Sequence, residues 1–561
     1  MHKRFKARAL FSTLSLFSLL LLVLSACGPQ GTPSSSQSNG KPVKGGTWID
    51  DLYEEPNSLI PYASSETFAD IVNTGLYAPL FLGNVQGHLT PGIATEIPTV
   101  QNGGESADLK TWTFHLRPNL KWSDGQPLTA EDVDFSWRVW VNPKFAAYST
   151  TGINLIQSTT VSSDKLSITF HLKQGFSDFP AVWADGSQSP LPKHHFASMD
   201  PGAITKSADN LDPKVTSGPF MMSESKPGDH YTLARNPNYY LASQGLPYLD
   251  KVVFRIVTNQ DTILKDFQSG SVNSSWFLDV TKTATYKGLS NYTSVTSPVA
   301  SNWEHVILNF KNPILGKDSK VRQAMAMAID YNSLIKTARQ GVAKPLCTPQ
   351  GTAFNPGYQA DAPCPKYDLN AANALLDQDG WAKGSDGYRT KGAQKLAFTY
   401  STTANNPWRA ADEDIIQAGF KNIGIKLNIQ NYPASTFFGP FLNGGKADLA
   451  EFESTPTYNG TQSETVACNQ APPSGENYSF YCNPQVDKLL SQVEQTSDAG
   501  QRQQLFNQVH QIYLTEFPMI VLYSPSDLGV FKNTGHNYLP GPEGASEAVG
   551  IQTWWCTNGQ C

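Results

Sequence analysis

The run "WSDGQPLTAEDV" at residues 122–133 sets Asp124, Glu131 and Asp132 close together, and carboxylates that converge can act as general acid and base. The same residues also read as architecture. Asp124-Gly125 suits a turn, Pro127 fixes the backbone, and Thr129 is an N-cap followed by acidic residues in a first helical turn, as the helix dipole favours. The turn-and-cap reading is preferred. Cysteine offers a second chemistry. Of seven cysteines, six fall in close pairs: Cys347 with Cys364, Cys468 with Cys482, and Cys556 with Cys561. Local disulfide closure is expected; a metal site would need closely spaced Cys and His ligands. None of the ten histidines, the His194-His195 pair included, stands in such a cluster with a cysteine. No P-loop, GxSxG or HExxH motif occurs, so the sequence gives no sign of phosphate cradling, an activated serine or zinc-protease chemistry.

The seventh cysteine stands apart. Ahead of it lie His2, Lys3, Arg4, Lys6 and Arg8, then an uncharged, largely apolar run over residues 9–23, the n-region and h-region of a secretory signal. The run is shorter than the about 20 apolar residues of a spanning helix and is diluted by Ser12, Thr13, Ser15 and Ser18. Leu24-Ser25-Ala26-Cys27 resembles the bacterial lipobox, whose cysteine is lipid-modified and becomes the new N-terminus. An ordinary cleavage near Ala26, with Cys27 an incidental thiol, is the alternative. Residues 28–46, "GPQGTPSSSQSNGKPVKGG", carry almost no apolar side chain and read as a flexible leash.

The leader of residues 1–26 holds four Lys or Arg and no Asp or Glu, so 38 basic side chains remain against 48 acidic ones, a formal charge of −10. That balance argues against nucleic acid as a partner. The remaining length favours more than one domain. With 12 Trp and 22 Tyr in the chain, aromatic side chains suffice for a large core and for amphipathic contact surfaces.

The elements that would position these residues alternate in type. Strands are expected at "GGTWID", "TWTFHL", "LSITFHL", "YLDKVVFRIV", "KLAFTYST" and "IKLNIQNY". Helices are expected at "TAEDVDFSWRVWVN", at "NAANALLDQDGW", at "AADEDIIQAGFKNIG" up to Gly424, and over residues 319–340, where Val321, Ala324, Met325 and Ala328 recur at a helical period. Mixed α/β is the class this supports.

In this order the pieces resemble a known family. "GGTWIDDLYEEPNSLIPYASS", "KTWTFHLRPNLKWSDGQPLTAEDVDFSW", "SGPFMMSESKPGDHYTLARNPNYY", "NFKNPILGKDSKVRQAMAMAIDYNSL" and "NPQVDKLLSQVEQTSDAGQRQQLFNQVHQIYLTEFPMIVLY" are similar to the motifs of the extracellular solute-binding proteins of ABC importers, family 5, which include the oligopeptide- and dipeptide-binding lipoproteins. The resemblance implies a two-lobed α/β clamshell of the periplasmic-binding-protein fold, with an extra subdomain in the first lobe. After a signal peptide over 1–26 and a linker over 27–44, the first lobe is expected at 45–305 plus 525–561, with the subdomain at about 76–214. The second lobe is expected at 306–524, with hinge crossings near 305–310 and 521–526.

What the resemblance implies functionally is a monomeric binding component, not an enzyme. It would be exported, lipid-anchored to the outer face of the cell membrane, and without cofactor or metal. It would take a peptide in the cleft and deliver it to permease subunits served by separate ATPase subunits. An oligosaccharide or other small solute, or a sensing or adhesive role without transport, remain alternatives. Peptide binders of the family often carry a Trp-x-x-Asp-Tyr-x-Asp-Pro segment whose aspartate meets the peptide's amino terminus. Here "ADLAEFESTPTYNG" lacks the Trp, leaving Glu451 and Glu453 as candidates. Asn405, Asn406 and Trp408, entering a helix from a strand, are the first choice for ligand contact, and Asn302 and Trp303 the second. Arg409 sits nearer the helix start than a carboxylate-binding role would require, and Arg322 and Asp330 are expected to brace a helix.

Overall fold

The strand Thr47–Leu52 turns Trp48 and Leu52 into the core and runs parallel to Lys251–Ile256 over its whole length. The computed structural model describes residues 40–83, 88–296, 302–349, 363–454, 461–538 and 548–561. Around that first pair a seven-stranded sheet forms in the order Tyr292–Thr296, Leu528–Lys532, Ser274–Ser275, Thr47–Leu52, Lys251–Ile256, His230–Arg235 and Phe220–Lys226. The late strand Leu528–Lys532 pairs antiparallel with both Tyr292–Thr296 and Ser274–Ser275. The chain therefore leaves the first lobe, builds the second, and returns to complete the first sheet.

The second lobe holds a five-stranded sheet in the order Lys426–Ile429, Ala397–Ser401, Leu449–Ser454, Trp303–Leu308 and Met519–Tyr523. All six residues of Trp303–Leu308 are buried, because ladders run along both edges of this strand. This strand runs across the expected boundary at 305/306 and into the expected crossing at 305–310, and its ladders hold Trp303 and Glu304 in the same sheet as the residues that follow them. A residue paired on both sides cannot serve as a hinge without breaking two ladders. Residues 524–527 link the strand Met519–Tyr523 of this sheet to Leu528–Lys532 of the seven-stranded one.

The inserted body carries a three-stranded antiparallel sheet, Thr111–His115, Ser167–Leu172 and Ile156–Val161, beside the helix Ala130–Trp140. Trp112, Phe114, Trp122, Phe170 and Trp183 fill its core. Thr129 closes a capping box with Asp132: its side chain accepts from the Glu131 N–H, and the Asp132 carboxylate accepts from the Thr129 N–H at 2.8 Å. Glu131 pairs with Lys165 and Lys193, Asp124 with His194, and His195 with Asp209. The three acids of the opening motif therefore hold a turn and a helix start.

The helix expected over 319–340 stops at Met327 and resumes as a short turn at Tyr331–Ser333, which Asp330 caps through the Ser333 N–H. Arg322 is buried and donates to the carbonyls of Leu315 and Glu516. Cys347 and Cys364, Cys468 and Cys482, and Cys556 and Cys561 approach with Cα separations of 5.1, 4.4 and 5.0 Å. Cys27 lies outside the described residues.

One close approach ties the inserted body to the first lobe. A Cβ on Gly186 would stand 2.6 Å from the Thr74 nitrogen and 2.7 Å from the Asn73 carbonyl carbon, both backbone atoms of the helix Thr67–Leu76. Gly186→Ala is expected to force helix and turn apart at a cost of about 1–3 kcal/mol, read as a lowered midpoint in chemical denaturation, whereas Gly103→Ala, whose Cβ meets nothing within 4 Å, costs only the strain of its positive φ.

Candidate functional site

Tyr53 and Glu54 leave the carboxyl end of the strand Thr47–Leu52, the edge of an α/β sheet where ligand clefts open. They line a cavity of about 730 Å³ whose wall is shared by three bodies. From the first lobe come Tyr53, Glu54, Glu66, Phe68 and Phe277; from the inserted body Trp140, Tyr148, Asp185 and Gln188; from the second lobe Arg409, Phe438, Phe452, Glu453, Glu476 and Tyr478. The aromatic rings form two groups. Tyr53 meets Phe68 edge-on at 4.8 Å, and Phe68 meets Phe277 at 5.8 Å. In the second lobe Phe452 meets Phe438 at 5.7 Å and Tyr478 at 6.0 Å.

Of the seven ligand-contact candidates from the sequence, the structure brings Glu453 to the cavity wall and leaves the other six off it among the described residues. Asn405 occupies a left-handed turn with φ 65°. Asn406 caps the helix Pro407–Asn422 by accepting from the Arg409 N–H. That helix starts three residues before the expected "AADED", because the Asn406 cap and Pro407 at the first position pull the start forward. Trp408 consequently falls in the first turn and is buried, edge-on to Tyr53 at 6.2 Å with the Arg339 guanidinium 5.3 Å from its ring. Trp303 is core, packed in a cluster with Leu346, Tyr481 and Val521. Asn302 stands behind the wall and donates to Glu453 at 2.6 Å. Glu451 shares a strand face with Glu453 but lies one repeat deeper, where it accepts from the Tyr400 hydroxyl at 2.8 Å.

Arg409, near the start of its helix, does line the cavity. Its guanidinium is already committed. Nε donates to Glu304 at 2.9 Å and Nη1 to Thr403 at 2.7 Å, and both members of the ion pair are buried. Behind it sits a dense group of acids: Asp412 takes a hydrogen bond from the Tyr523 hydroxyl at 2.5 Å, and Asp527 faces Arg339 at 3.4 Å. Burial and nearby acids raise Asp412 to about 7 and Asp527 to about 6, and hold Glu451 and Glu453 well above the carboxylate range. On the cavity wall itself burial pushes Glu54 up to about 7, Glu66 to about 8 and Glu476 to about 7. Among the described residues no group of three His, Cys, Asp or Glu side chains could hold a metal ion.

Weak but distinct signals in the sequence could have located some of this wall. Tyr53 and Glu54 directly follow the opening strand, and Glu476 and Tyr478 lie in the aromatic loop "SGENYSFY" between Cys468 and Cys482. Asp185 and Gln188 sit in a turn with no pattern to mark it.

A family model described as bacterial extracellular solute-binding proteins, family 5 Middle, matches residues 88–471. The oligopeptide-binding protein AppA of Bacillus subtilis is 27% identical over 564 residues, spanning 97% of this chain and 98% of its own length. The structure of AppA from Bacillus subtilis in complex with a nonapeptide superposes with a TM-score of 0.82 at 23% identity, over 92% of this chain and 100% of that one. NikZ from Campylobacter jejuni in complex with Ni(L-His) superposes with a TM-score of 0.80 at 21% identity, over 91% and 99%. These likenesses establish the two-lobed α/β architecture.

The raised carboxyls carry a stability consequence. Above about pH 5 they are ionised in the unfolded chain but still hold protons in the folded one, so the folded state binds more protons and stability falls as pH rises through their folded values. His305, pulled down to about 3 by burial, is neutral in both states above about pH 7 and does not oppose this. The ligand-free protein is expected to lose several degrees of melting temperature between about pH 7 and about pH 9, and Glu66→Gln to flatten that slope, as scanning calorimetry would show.

Proposed function

Because the chain belongs to the bacterial extracellular solute-binding proteins of family 5, we propose that it captures peptides between its lobes and delivers them to the permease of an ABC importer, with ATP hydrolysed on a separate subunit. The observation that carries this reading is the cavity of about 730 Å³ enclosed by both lobes and the inserted body, within the span of about 300–1,000 Å³ typical of ligand sites. The lobes meet around it. Arg502 of the second lobe pairs with Asp178 of the inserted body at 2.8 Å, the Ser177 N–H donates to the Glu494 carbonyl at 2.7 Å, and Ser65 donates to Glu476. A ligand held inside stabilises this closed arrangement through contacts that an open one cannot make. Reversing a mostly open population takes about 5 kcal/mol of differential binding. AppA of Bacillus subtilis, an oligopeptide-binding protein, is similar over nearly the whole chain, which favours peptide over sugar as the solute.

Export and anchoring belong to the same reading. Cys27 receives the lipid, the segment to residue 44 is the tether, and the folded part acts as a monomer at the outer face of the membrane. The six remaining cysteines close as three local disulfides once outside the reducing cytoplasm, a reading supported by their close approach in pairs. Residues 45–296 with 528–561 act as one lobe and 303–523 as the other, with the two crossings between them as hinges.

Native mass spectrometry of residues 44–561, purified without denaturation, is expected to show a spread of added masses matching short peptides that disappears on unfolding and refolding; a single discrete added mass would point to one dedicated small solute instead. Cys27→Ser is expected to abolish incorporation of labelled palmitate and to move the protein from the membrane to the soluble fraction.

A further inference from the structure

The charge of the cavity is one-sided. Among the described residues seven carboxyl side chains line it against a single cation, Arg409, and that cation is already neutralised by Glu304 at 2.9 Å. The internal segments at 84–87, 297–301, 350–362, 455–460 and 539–547, outside the described residues as are 1–39, contain no Lys, Arg or His. None of them can supply the missing positive charge.

The acids also come from opposite sides. Glu54 and Glu66 belong to the first lobe, with Asp70 on the helix Thr67–Leu76, and Asp185 belongs to the inserted body; Glu453, Glu464 and Glu476 belong to the second lobe. Glu66 and Glu476 face each other closely enough that Glu476, together with Glu54, adds to the burial that raises Glu66. Closing the lobes therefore brings like charges together in a partly desolvated space, which disfavours closure unless something positive lies between them.

A second observation points the same way. Gln188 is only 9% exposed and lines the wall. Its Nε2 donates to the Tyr148 hydroxyl at 2.9 Å, while its Oε1 accepts no hydrogen bond among the described residues. Glu66 Oε1 and Asp185 Oδ1 are likewise unfilled there. Gln188 Oε1 is an acceptor, and the two carboxyl oxygens become acceptors on ionisation, which a cation beside them favours. Among the described residues no three acids converge as metal ligands, whereas Tyr53, Phe68, Tyr148 and Tyr478 put aromatic rings on the same wall, and such rings attract an organic cation.

Resting on the peptide-capturing role argued above, we propose that the cavity selects peptides bearing lysine or arginine side chains over neutral and acidic peptides of the same length, with Glu66 and Glu476 as the counter-charges that such a side chain bridges on closure. The ammonium or guanidinium supplies donors to the open acceptors and relieves the repulsion between the lobes. A neutral side chain does neither.

The test is calorimetric titration of the refolded, ligand-free protein at about pH 8 with three pentapeptides that differ only in the central residue: Ala-Ala-Lys-Ala-Ala, Ala-Ala-Gln-Ala-Ala and Ala-Ala-Glu-Ala-Ala. The lysine peptide is expected to bind at least about tenfold tighter than the glutamine peptide, and the glutamate peptide weakest. In the Glu66→Gln, Glu476→Gln double variant the lysine-to-glutamine ratio is expected to fall to about threefold or less. Equal affinity of the wild-type protein for all three peptides would overturn the selectivity while leaving peptide capture intact. Failure to bind any of them, together with no peptide masses on the protein as purified, would overturn both. The wild-type series decides the matter without the variant, so a misfolded double variant would not leave the question open.

Discussion

The ion pair between Arg409 and Glu304 is the contact on which the geometry of this site turns. Glu304 sits in the strand that enters the second lobe from the hinge, paired on both edges and wholly buried. Arg409 sits in the first turn of the helix Pro407–Asn422. Their bond at 2.9 Å joins the hinge strand to the helix start that faces the cleft, and Thr403 adds a second hold on the same guanidinium. Removing either partner of a buried pair typically costs about 3–5 kcal/mol, because the other charge is then left uncompensated. The pair also takes Arg409 out of the ligand's reach as a free cation.

The acids behind that pair follow from the same constraint. Two arginines, Arg339 and Arg409, face Glu304, Asp412, Glu451, Glu453 and Asp527 in one buried group. Full ionisation of every acid there would leave net negative charge in a low-dielectric space. The structure answers with raised carboxyls and with phenol partners: Tyr400 donates to Glu451 and Tyr523 to Asp412. Asn302, just after the first crossing, donates to Glu453 on the wall, so the network runs from the hinge to the cleft. An acidic cavity on an acidic hinge is a consistent design for a binder whose closure waits on a cation.

Much of the architecture was legible from local pattern. The helix start at Thr129 and the strand at Thr47–Leu52 depend on residues within a few positions of each other, and propensity and hydrogen bonding at that range are short-range physics. Motif order pointed to the two-lobed family, which the match over residues 88–471 bears out. Nothing in "SNWEHVILNF" itself tells that both edges of the strand Trp303–Leu308 are covered.

The ligand wall was the part least visible in the chain. Trp408 and Trp303 have the type and position of ligand-stacking residues, yet both are buried packing, and an aromatic side chain serves core and cleft equally well until its neighbours are known. Glu451 and Glu453 are two residues apart on one strand face, and only the depth of the sheet separates the buried one from the cavity-lining one. By itself the sequence determined the α/β class, the helix start at Thr129 and the family. Which carboxylates converge, and that one arginine among them is already paired, was decided by tertiary structure alone, because Glu66, Asp185, Arg409 and Glu476 are brought together from distant parts of the chain by sheet pairing and lobe packing that no local pattern encodes.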